Sequence, residues 1–358
     1  MKKQTPLSLL AAVIALTAVS YFAYQRWALT AGPSRNEILS SLPPDATAVL
    51  FGDLVELRRA PFIAALYAWA PKPQADPDYA QFLKETGFDY ERDLDRIAIA
   101  VAKQGPDTSL FAIAYGKFDR QKISAYALKA GTAAKIAGRE IFSVPINGSS
   151  RKISFTFLSS NRIAWTDDSN LGNFLSLKKH NQDEAEWRAR FERLAGSPLF
   201  AVIRQDAGAG GALAAQAPGG LRSPQLSALL DQLQWITLAG KPENDRLRIV
   251  AEGESTGETT ARQLADLLNG VVILAQAGLN DPKTRQQLAP ATREAYLEVL
   301  KSADISKIDR GDTKSVRLVL DITPNFLDAA PIASPLAPGP VPDKPLPGKA
   351  SASKKGHT

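Results

Sequence analysis

The side chains that most often carry catalysis and metal binding are scarce in this chain. Its 358 residues include no cysteine and two histidines. The lack of cysteine excludes disulfides, thiolate metal sites, cysteine nucleophiles and a lipid-modified cysteine. His180 stands in the polar stretch Lys178-Lys-His-Asn181, and His357 is next to the last residue. A histidine base needs an orienting partner and a pocket, and neither neighbourhood supplies them, so we predict no catalytic residue.

A glycine-rich stretch invites comparison with a dinucleotide-binding loop. Gly208-Ala-Gly-Gly-Ala-Leu213 follows a predicted strand. The phosphate-binding pattern needs a third glycine three residues after the second, and Leu213 occupies that place. Pro218-Gly-Gly220 follows closely, which favours a flexible loop. We therefore predict no bound cofactor.

Acidic residues recur in short groups, the densest being Asp89-Tyr-Glu-Arg-Asp-Leu-Asp95. Spaced carboxylates can hold calcium, but a calcium loop needs ligands at alternate positions, a turn glycine and a terminal glutamate. This segment lacks the glycine and places Arg92 among the acids. Solvated turns and helix caps account for these residues, so we predict no metal site.

Four aromatic residues on two predicted helices are candidates for lining an apolar ligand site. They are Tyr67, Trp69, Tyr79 and Phe82. Aromatic side chains provide a large apolar surface, and tyrosine and tryptophan add a polar group at its edge. Packing in an ordinary core explains the same residues, so this assignment is a hypothesis.

The N-terminal segment predicts a membrane anchor. Lys2 and Lys3 precede an uncharged apolar run from Leu7 to Tyr24, which as a helix spans roughly 27 Å, close to the thickness of a bilayer's hydrocarbon core. Trp27 and the tyrosines near the end of the run fit the interfacial aromatic belt. We expect residues 1–31 to form a short cytoplasmic stub and a single transmembrane helix.

Two other interpretations of this segment are open. A cleaved signal peptide would use the small residues of Ala18-Val-Ser20 as its cleavage site, and a buried helix of a cytosolic protein would use the same apolar run. The anchor and the signal peptide both predict export. We accordingly expect inner-membrane, single-pass localisation with the body on the extracytoplasmic side.

The positive charge is concentrated at the two ends of the chain. The net charge is +6, of which residues 1–31 contribute +3 and residues 329–358 another +3, so the segment between them is balanced. A nucleic-acid-binding protein needs a basic surface that replaces phosphate counterions, and no nucleic-acid partner is expected. The last segment is rich in proline and lysine and predicts a disordered tail.

The order of predicted elements between these ends occurs twice. Hairpins are predicted at 97–115 and at 235–251, each after a buried strand and before a helix, and Leu110-x-x-Ile-Ala-x-Gly116 matches Leu247-x-x-Val-Ala-x-Gly253. We predict an α+β fold of two similar strand-helix-hairpin-helix repeats, 32–180 and 181–328. Their strands should form antiparallel or mixed sheets with helices packed on one face, preceded by the transmembrane helix.

The stretch Leu42-Pro-Pro-Asp-Ala-x-x-Val-Leu-x-x-x-Asp-Leu-x-x-Leu57, placed after the apolar segment and before this order of elements, resembles a loose group of uncharacterised bacterial membrane-anchored or exported proteins with a duplicated α+β body. The resemblance covers residues 5–325 in layout and 42–57 in residues. It implies a location in the cell envelope, and it carries no established activity and no functional residues.

These observations together predict a non-enzymatic, membrane-anchored extracytoplasmic protein that engages an envelope protein partner. A module that binds an apolar ligand or lipid is the alternative. A histidine-independent hydrolase is a more remote one, because active sites can be assembled from residues far apart in sequence. The sequence does not predict the oligomeric state.

Overall fold

The computed structural model describes residues 35–43, 45–70, 77–104, 107–136, 138–146, 152–167, 171–176, 181–205 and 228–329. Within this part of the chain, twelve strands form one sheet in the order β11-β12-β10-β9-β8-β1-β2-β3-β7-β6-β5-β4. The strands are β1 Ala46–Asp53, β2 Leu94–Gln104, β3 Asp107–Gly116, β4 Thr132–Ile136, β5 Arg139–Pro145, β6 Lys152–Ser159, β7 Arg162–Thr166, β8 Leu199–Arg204, β9 Trp235–Glu243, β10 Arg246–Ser255, β11 Asp304–Asp309 and β12 Lys314–Ile322.

Helices fill the intervals between the strands. They are α1 Arg35–Ser40, α2 Leu54–Arg59, α3 Pro61–Trp69, α4 Pro77–Thr86, α5 Tyr90–Asp93, α6 Arg120–Ala130, α7 Leu171–Ser176, α8 Asn181–Arg193, α9 Glu258–Asn280, α10 Pro282–Gln287, α11 Pro290–Lys301 and α12 Pro324–Ala329. Asp119 caps α6, since its carboxylate accepts a hydrogen bond from the backbone N–H of Lys122. This is the cap that its position before the helix predicts.

All neighbouring strands run antiparallel, and short connections explain most of the pairings. The predicted hairpins are present as β2–β3 and β9–β10. The pairing of β1 with β8 joins the two halves of the chain, with Phe51 opposite Phe200. Strands β1–β3 and β8–β10 consequently lie in mirrored order on either side of this central pair.

The front face of the sheet, defined as the face that carries Phe51 and Phe200, holds the main hydrophobic core. The rings of these two residues stack with centroids 5.1 Å apart. Helices α1, α7 and α8 cover this face through Ile38, Phe174 and Trp187, which belong to the same buried cluster. Side chains alternate between the two faces of a strand, and the front-face side chains of β2 are accordingly three buried alanines, Ala98, Ala100 and Ala102.

The back face carries two separate smaller cores. Toward β4, Ile123 and Ala127 of α6 pack against Phe142, Phe157 and Ile163, with Phe82 of α4 against the same cluster. Toward β11, α9 packs on the sheet through Ala261, Leu264 and Ala265, which contact Ile236 and Val316. The two cores lie on either side of the central strands.

This architecture corrects the predicted fold class. Instead of two repeats with their own sheets, which 32–180 and 181–328 would form, one continuous antiparallel sheet contains strands of both segments. Helices cover both faces, not one. Sequence periodicity identified the strands, but the β1–β8 pairing that merges the sheets depends on contacts between residues about 150 positions apart.

The prediction of a transmembrane helix before this fold is corrected as well. No helix in the described part of the chain has the length and apolarity needed to cross a bilayer. The segment 1–31 that was assigned to the anchor lies outside the described residues. So do His180, the glycine-rich stretch 208–213 and residues 330–358 of the predicted tail.

Ser255-x-x-Glu258 has the residue spacing of a helix capping box, but it does not form one. Ser255 ends β10, and the cap of α9 is Gly257, which makes no side-chain hydrogen bond. The Ser255 hydroxyl donates to the carbonyl oxygen of Gly257 at 3.0 Å. Strand β10 continues past the expected boundary because its pairing with β12 extends to Ser255 opposite Lys314.

Candidate functional site

An uncovered strip of apolar side chains runs along the back face between its two cores. In the centre of the strip, Leu50 of β1 is opposite Ile99 of β2 and Ala201 of β8. Since side chains in register on paired antiparallel strands share one face, these three residues point to the same side. The central strip is defined by the back-face residues of these strands: Ala48, Leu50, Ile97, Ile99, Val101, Leu199, Ala201 and Ile203.

Two residues of the central strip are exposed although they are apolar, and the other six are half-buried. Leu50 is 40% exposed and Leu199 is 41% exposed, whereas Val49 and Phe51 on either side of Leu50 are buried in the front core. A face of three central strands in a twelve-stranded sheet is ordinarily covered by helices. In the described part of the chain, α6 and α9 pack on the back-face strands to either side, Ile203 at the edge of the strip packs against the α9 cluster, and α3 contacts β10 and α12.

The dimensions of the central strip match one helix. Neighbouring strands lie about 4.8 Å apart, so β2, β1 and β8 together are about 10 Å wide between their outer axes. An α-helix with its side chains is about 10 Å in diameter. The residues of the strip span five positions on β2 and on β8, about 17 Å, the length of about 11 helical residues. The strip therefore has the width of one helix and the length of about three helical turns.

One end of the central strip is bordered by acidic residues. At the end where β1 stops and β2 starts, segments 53–59 and 89–96 contain six acids and four arginines, a formal charge of −2. Three of the four arginines are engaged within the protein, and Arg58 donates to the carbonyl oxygens of Glu91 and Leu94. Arg92 pairs with Asp93 at 2.7 Å, and Arg96 pairs with Asp53 at 2.7 Å. The hydrogen bonds from Arg92 lower the pKa of Asp93 to about 2, which keeps this carboxylate charged at neutral pH.

Two of the four predicted ligand-lining aromatics come together at this acidic end. The Tyr67 hydroxyl donates to Oε1 of Glu91 at 2.5 Å, and this bond raises the pKa of Tyr67 to about 12. The Tyr79 ring lies against the Tyr90 ring with centroids 5.1 Å apart. Tyr90 and Glu91 thus connect α3 to α4, because one contacts Tyr79 and the other Tyr67. The sequence pattern did not predict this connection.

The other two predicted aromatics occupy different surroundings. Phe82 belongs to a hydrophobic core, where its ring packs edge-on against Phe88 and Tyr126. Trp69 is half-buried at the last position of α3. The four residues therefore do not form one lining, and ordinary packing explains Phe82.

A second cluster of polar residues lies on the front face near the end of β10. Glu254 is 1% exposed and accepts hydrogen bonds from Arg190 at 2.8 Å and from Arg193, both on α8. Glu252 accepts from Arg310 at 2.5 Å and from Arg317 at 3.0 Å. Four arginines therefore surround two glutamates and hold α8 against β10 and β12.

The environment of this cluster indicates a structural role. The Arg190 guanidinium lies 3.8 Å from the centroid of the Trp235 ring, a cation–π contact beneath α8. Burial alone would raise the pKa of Glu252, but hydrogen bonds from Arg310 and Arg317 outweigh it and lower the pKa. The residues described contain no group of three or more histidines, aspartates or glutamates arranged to hold a metal ion.

Sequence reasoning missed the central strip. Residues 48–51 are apolar on both faces, which predicts a strand buried on both sides. The apolar pattern of a strand does not show which helices pack on that strand. The exposure of Leu50 and Leu199 therefore could not be predicted from the sequence. The acidic segment 89–95, in contrast, was identified, and its predicted role in caps is confirmed for Asp89, which accepts from the backbone N–H of Glu91 at the start of α5.

Comparisons with known proteins are sparse. No family model and no curated protein matches the chain. Crystal structures of TP0453 are similar in layout: form III has a TM-score of 0.42 at 11% identity and covers 84% of this chain and 98% of that one. Form IV has a TM-score of 0.38 at 10% identity, covering 79% and 91%. Similarity at this level carries no argument about this chain.

Proposed function

We propose that this chain is a non-enzymatic protein that binds a partner protein, and that the central strip receives an amphipathic helix of that partner. The observation that carries the proposal is the exposure of Leu50 and Leu199 in the middle of a twelve-stranded sheet. Exposed apolar surface of this kind marks interaction sites in soluble domains.

The shape and charge of the site support this choice of occupant. An amphipathic helix binds by placing its apolar face in an apolar groove, with contacts at positions i, i+3, i+4 and i+7. The central strip would form the base of such a groove, and its width equals the diameter of one helix. The formal charge of −2 at the acidic end favours a helix that carries basic residues at the end that lies there. A small apolar ligand would need no such charge.

The first experiment uses site-specific photocrosslinking in the full chain. Leu50 is replaced by benzoylphenylalanine, and the probe is a fluorescein-labelled 18-residue helix of leucine and lysine with its lysines toward one end. The matched control carries the same photoreactive residue at Leu128, which is 54% exposed on α6. We expect the peptide to crosslink at position 50 and not at position 128.

A substitution in the unmodified chain tests the same site by fluorescence anisotropy. Leu199→Glu places a charge on the floor of the central strip and should weaken peptide binding by at least tenfold, while Leu128→Glu leaves it unchanged. Equal crosslinking at the two positions would contradict the proposal. So would a crosslink from position 50 to residues 1–34 of the same chain, or displacement of the peptide by a long-chain fatty acid.

A further inference from the structure

Three tyrosines from three different helices meet around one carboxylate at the acidic end of the central strip. Tyr67 of α3 donates its hydroxyl to Oε1 of Glu91 at 2.5 Å, and the Tyr90 hydroxyl of α5 lies 3.4 Å from the same oxygen. Tyr79 of α4 packs its ring against Tyr90, and its hydroxyl accepts from the backbone N–H of Tyr90 at 3.3 Å. We call Tyr67, Tyr79, Tyr90 and Glu91 the tyrosine cluster.

The tyrosine cluster crosses the end of the central strip on the back side of the sheet. Helix α4 belongs to the back core toward β4 through Phe82, and α3 contacts β10 on the other side of the strip. Helix α5 ends directly before β2, and Glu91 is six residues before Ile97 of the strip. A helix that lies along the strip and continues past this end therefore meets the cluster.

The Glu91 carboxylate lacks a cation in the part of the chain that the structure describes. Its hydrogen bonds come from tyrosine hydroxyls, which reach Oε1 and not Oε2, and it forms no ion pair with a described lysine or arginine. The two nearest arginines are committed elsewhere. Arg58 donates to the backbone carbonyl oxygen of Glu91 and pairs with Asp95, and Arg92 pairs with Asp93.

The negative charge of the tyrosine cluster acts on its hydroxyl groups. The hydrogen bond to Glu91, together with burial and the nearby charge of Asp89, raises the pKa of Tyr67 to about 12. Burial, followed by the charge of Glu91, raises the pKa of Tyr90. In the described chain no basic group lowers either value. The cluster therefore keeps an uncompensated negative charge at neutral pH.

The rings beside this charge are accessible to a ligand. Tyr67 is 50% exposed and Tyr90 is 44% exposed. The face of an aromatic ring is negative and attracts cations. A guanidinium group is planar, so it can stack on a ring and donate two N–H groups to a carboxylate at the same time. An ammonium group is a compact, strongly hydrated charge and fits this combination less well.

We propose that the tyrosine cluster binds the guanidinium group of an arginine, which donates to Glu91 and stacks on the ring of Tyr67 or Tyr90. Since the arginine belongs to the partner helix, this assignment rests on the proposed function and specifies the chemistry of the partner at the acidic end. The strip has the length of about 11 helical residues, so an 18-residue helix continues about 10 Å beyond it. The arginine should lie in this continuation.

A double-mutant cycle between peptide and protein tests the contact. The probes are fluorescein-labelled 18-residue helices of leucine and lysine that carry arginine, lysine or citrulline at position 2 or at position 17. Citrulline has the length and shape of arginine but no charge. In one of the two series, the citrulline peptide should bind the full chain about tenfold more weakly than the arginine peptide in fluorescence anisotropy.

The protein variants assign this difference to the tyrosine cluster. Glu91→Gln should reduce the difference between the arginine and citrulline peptides to less than twofold, and Glu294→Gln, at an exposed position of α11, should preserve it. Tyr90→Leu should reduce the preference for arginine over lysine, since a leucine side chain has no ring face. Both Glu91→Gln and Tyr90→Leu should bind the citrulline peptide like the natural chain, which shows that the central strip is intact.

The outcomes separate this assignment from the proposed function. Peptides that bind through the strip, with binding lost in Leu199→Glu, but that show equal affinities for arginine and citrulline would overturn the tyrosine cluster alone. A difference that persists in Glu91→Gln would do the same. A lysine peptide that binds as tightly as the arginine peptide would overturn the choice of guanidinium. If no peptide of either series binds the natural chain, both proposals are wrong.

Discussion

At the scale of single residues, charged side chains in the interior are tolerated because they are paired. Glu254 is buried and receives hydrogen bonds from two arginines of α8. Removing one partner of a buried pair leaves the other charge desolvated and unpaired, which costs more than the pair contributes in the native state. No sequence pattern indicated this pairing, because Arg190 and Glu254 are separated by 64 positions.

We predict that Arg190→Leu lowers the free energy of unfolding by about 3 kcal/mol, because it removes one of the two arginines that pair with buried Glu254. Urea denaturation followed by circular dichroism measures this loss. Lys122→Leu is the control, since Lys122 pairs with Asp119 on the surface, and a surface pair contributes less than about 1 kcal/mol. Equal losses in the two variants would show that the buried cluster does not stabilise the fold.

Acid should weaken the same cluster. The pKa of Glu252 is lowered in the folded protein because hydrogen bonds from Arg310 and Arg317 outweigh its burial. A carboxylate with a depressed pKa stabilises the fold at a pH above its ordinary value of about 4.3, and this contribution is lost as the pH falls through the folded-state pKa. Stability should fall steeply below about pH 4 in the natural protein.

Glu252→Gln provides the matching test of this pH dependence. The variant should be less stable at pH 7, but its free energy of unfolding should change less between pH 5 and pH 3 than that of the natural protein, because the titrating group is absent. Glu294→Gln, at an exposed position of α11, should keep the natural slope. A natural slope in Glu252→Gln would mean that other carboxylates control acid unfolding.

At the scale of elements, local sequence signals identified strands and hairpins well and their ends poorly. The hairpin β2–β3 was predicted at 97–115 from two apolar segments on either side of the turn signal Gly105-Pro106-Asp107. The end of β3 depends instead on a contact with the last residue of α5, just before β2. A Cβ atom at Gly116 would lie 2.3 Å from the carbonyl oxygen of Asp93, and the neighbouring N–H of Lys117 donates to that oxygen at 2.8 Å.

Gly116→Ala should therefore destabilise the protein by at least 2 kcal/mol, because the added methyl group overlaps backbone atoms that cannot move without breaking the β2–β3 pairing. Gly52→Ala is the control at the same end of the sheet, where a Cβ atom would meet Ile97 at an ordinary 3.6 Å. Thermal unfolding of both variants decides the point. Similar melting temperatures would mean that the end of α5 at Asp93 shifts to make room for the methyl group.

At the scale of the whole molecule, the division into segments 32–180 and 181–328 described the order of elements and missed how they assemble. Periodicity along a sequence shows which segments form strands. The pairing of β1 with β8 depends instead on tertiary packing. Phe200 stacks on Phe51, and Arg35 of α1 lies over the Phe200 ring at 4.4 Å. The exposed central strip follows from this union, since β1, β2 and β8 form it together.

One sheet should unfold as one unit. Trp165 on β7 and Trp235 on β9 report on opposite halves of the chain. One variant keeps Trp165 as its single tryptophan and another keeps Trp235. The urea midpoints of their fluorescence transitions should coincide. Phe200→Ala, which deletes a ring that is 1% exposed, should lower both midpoints equally and cost about 3–5 kcal/mol. Two independent domains would instead give separate midpoints, with only the Trp235 transition shifted, because Phe200 belongs to the second half of the chain.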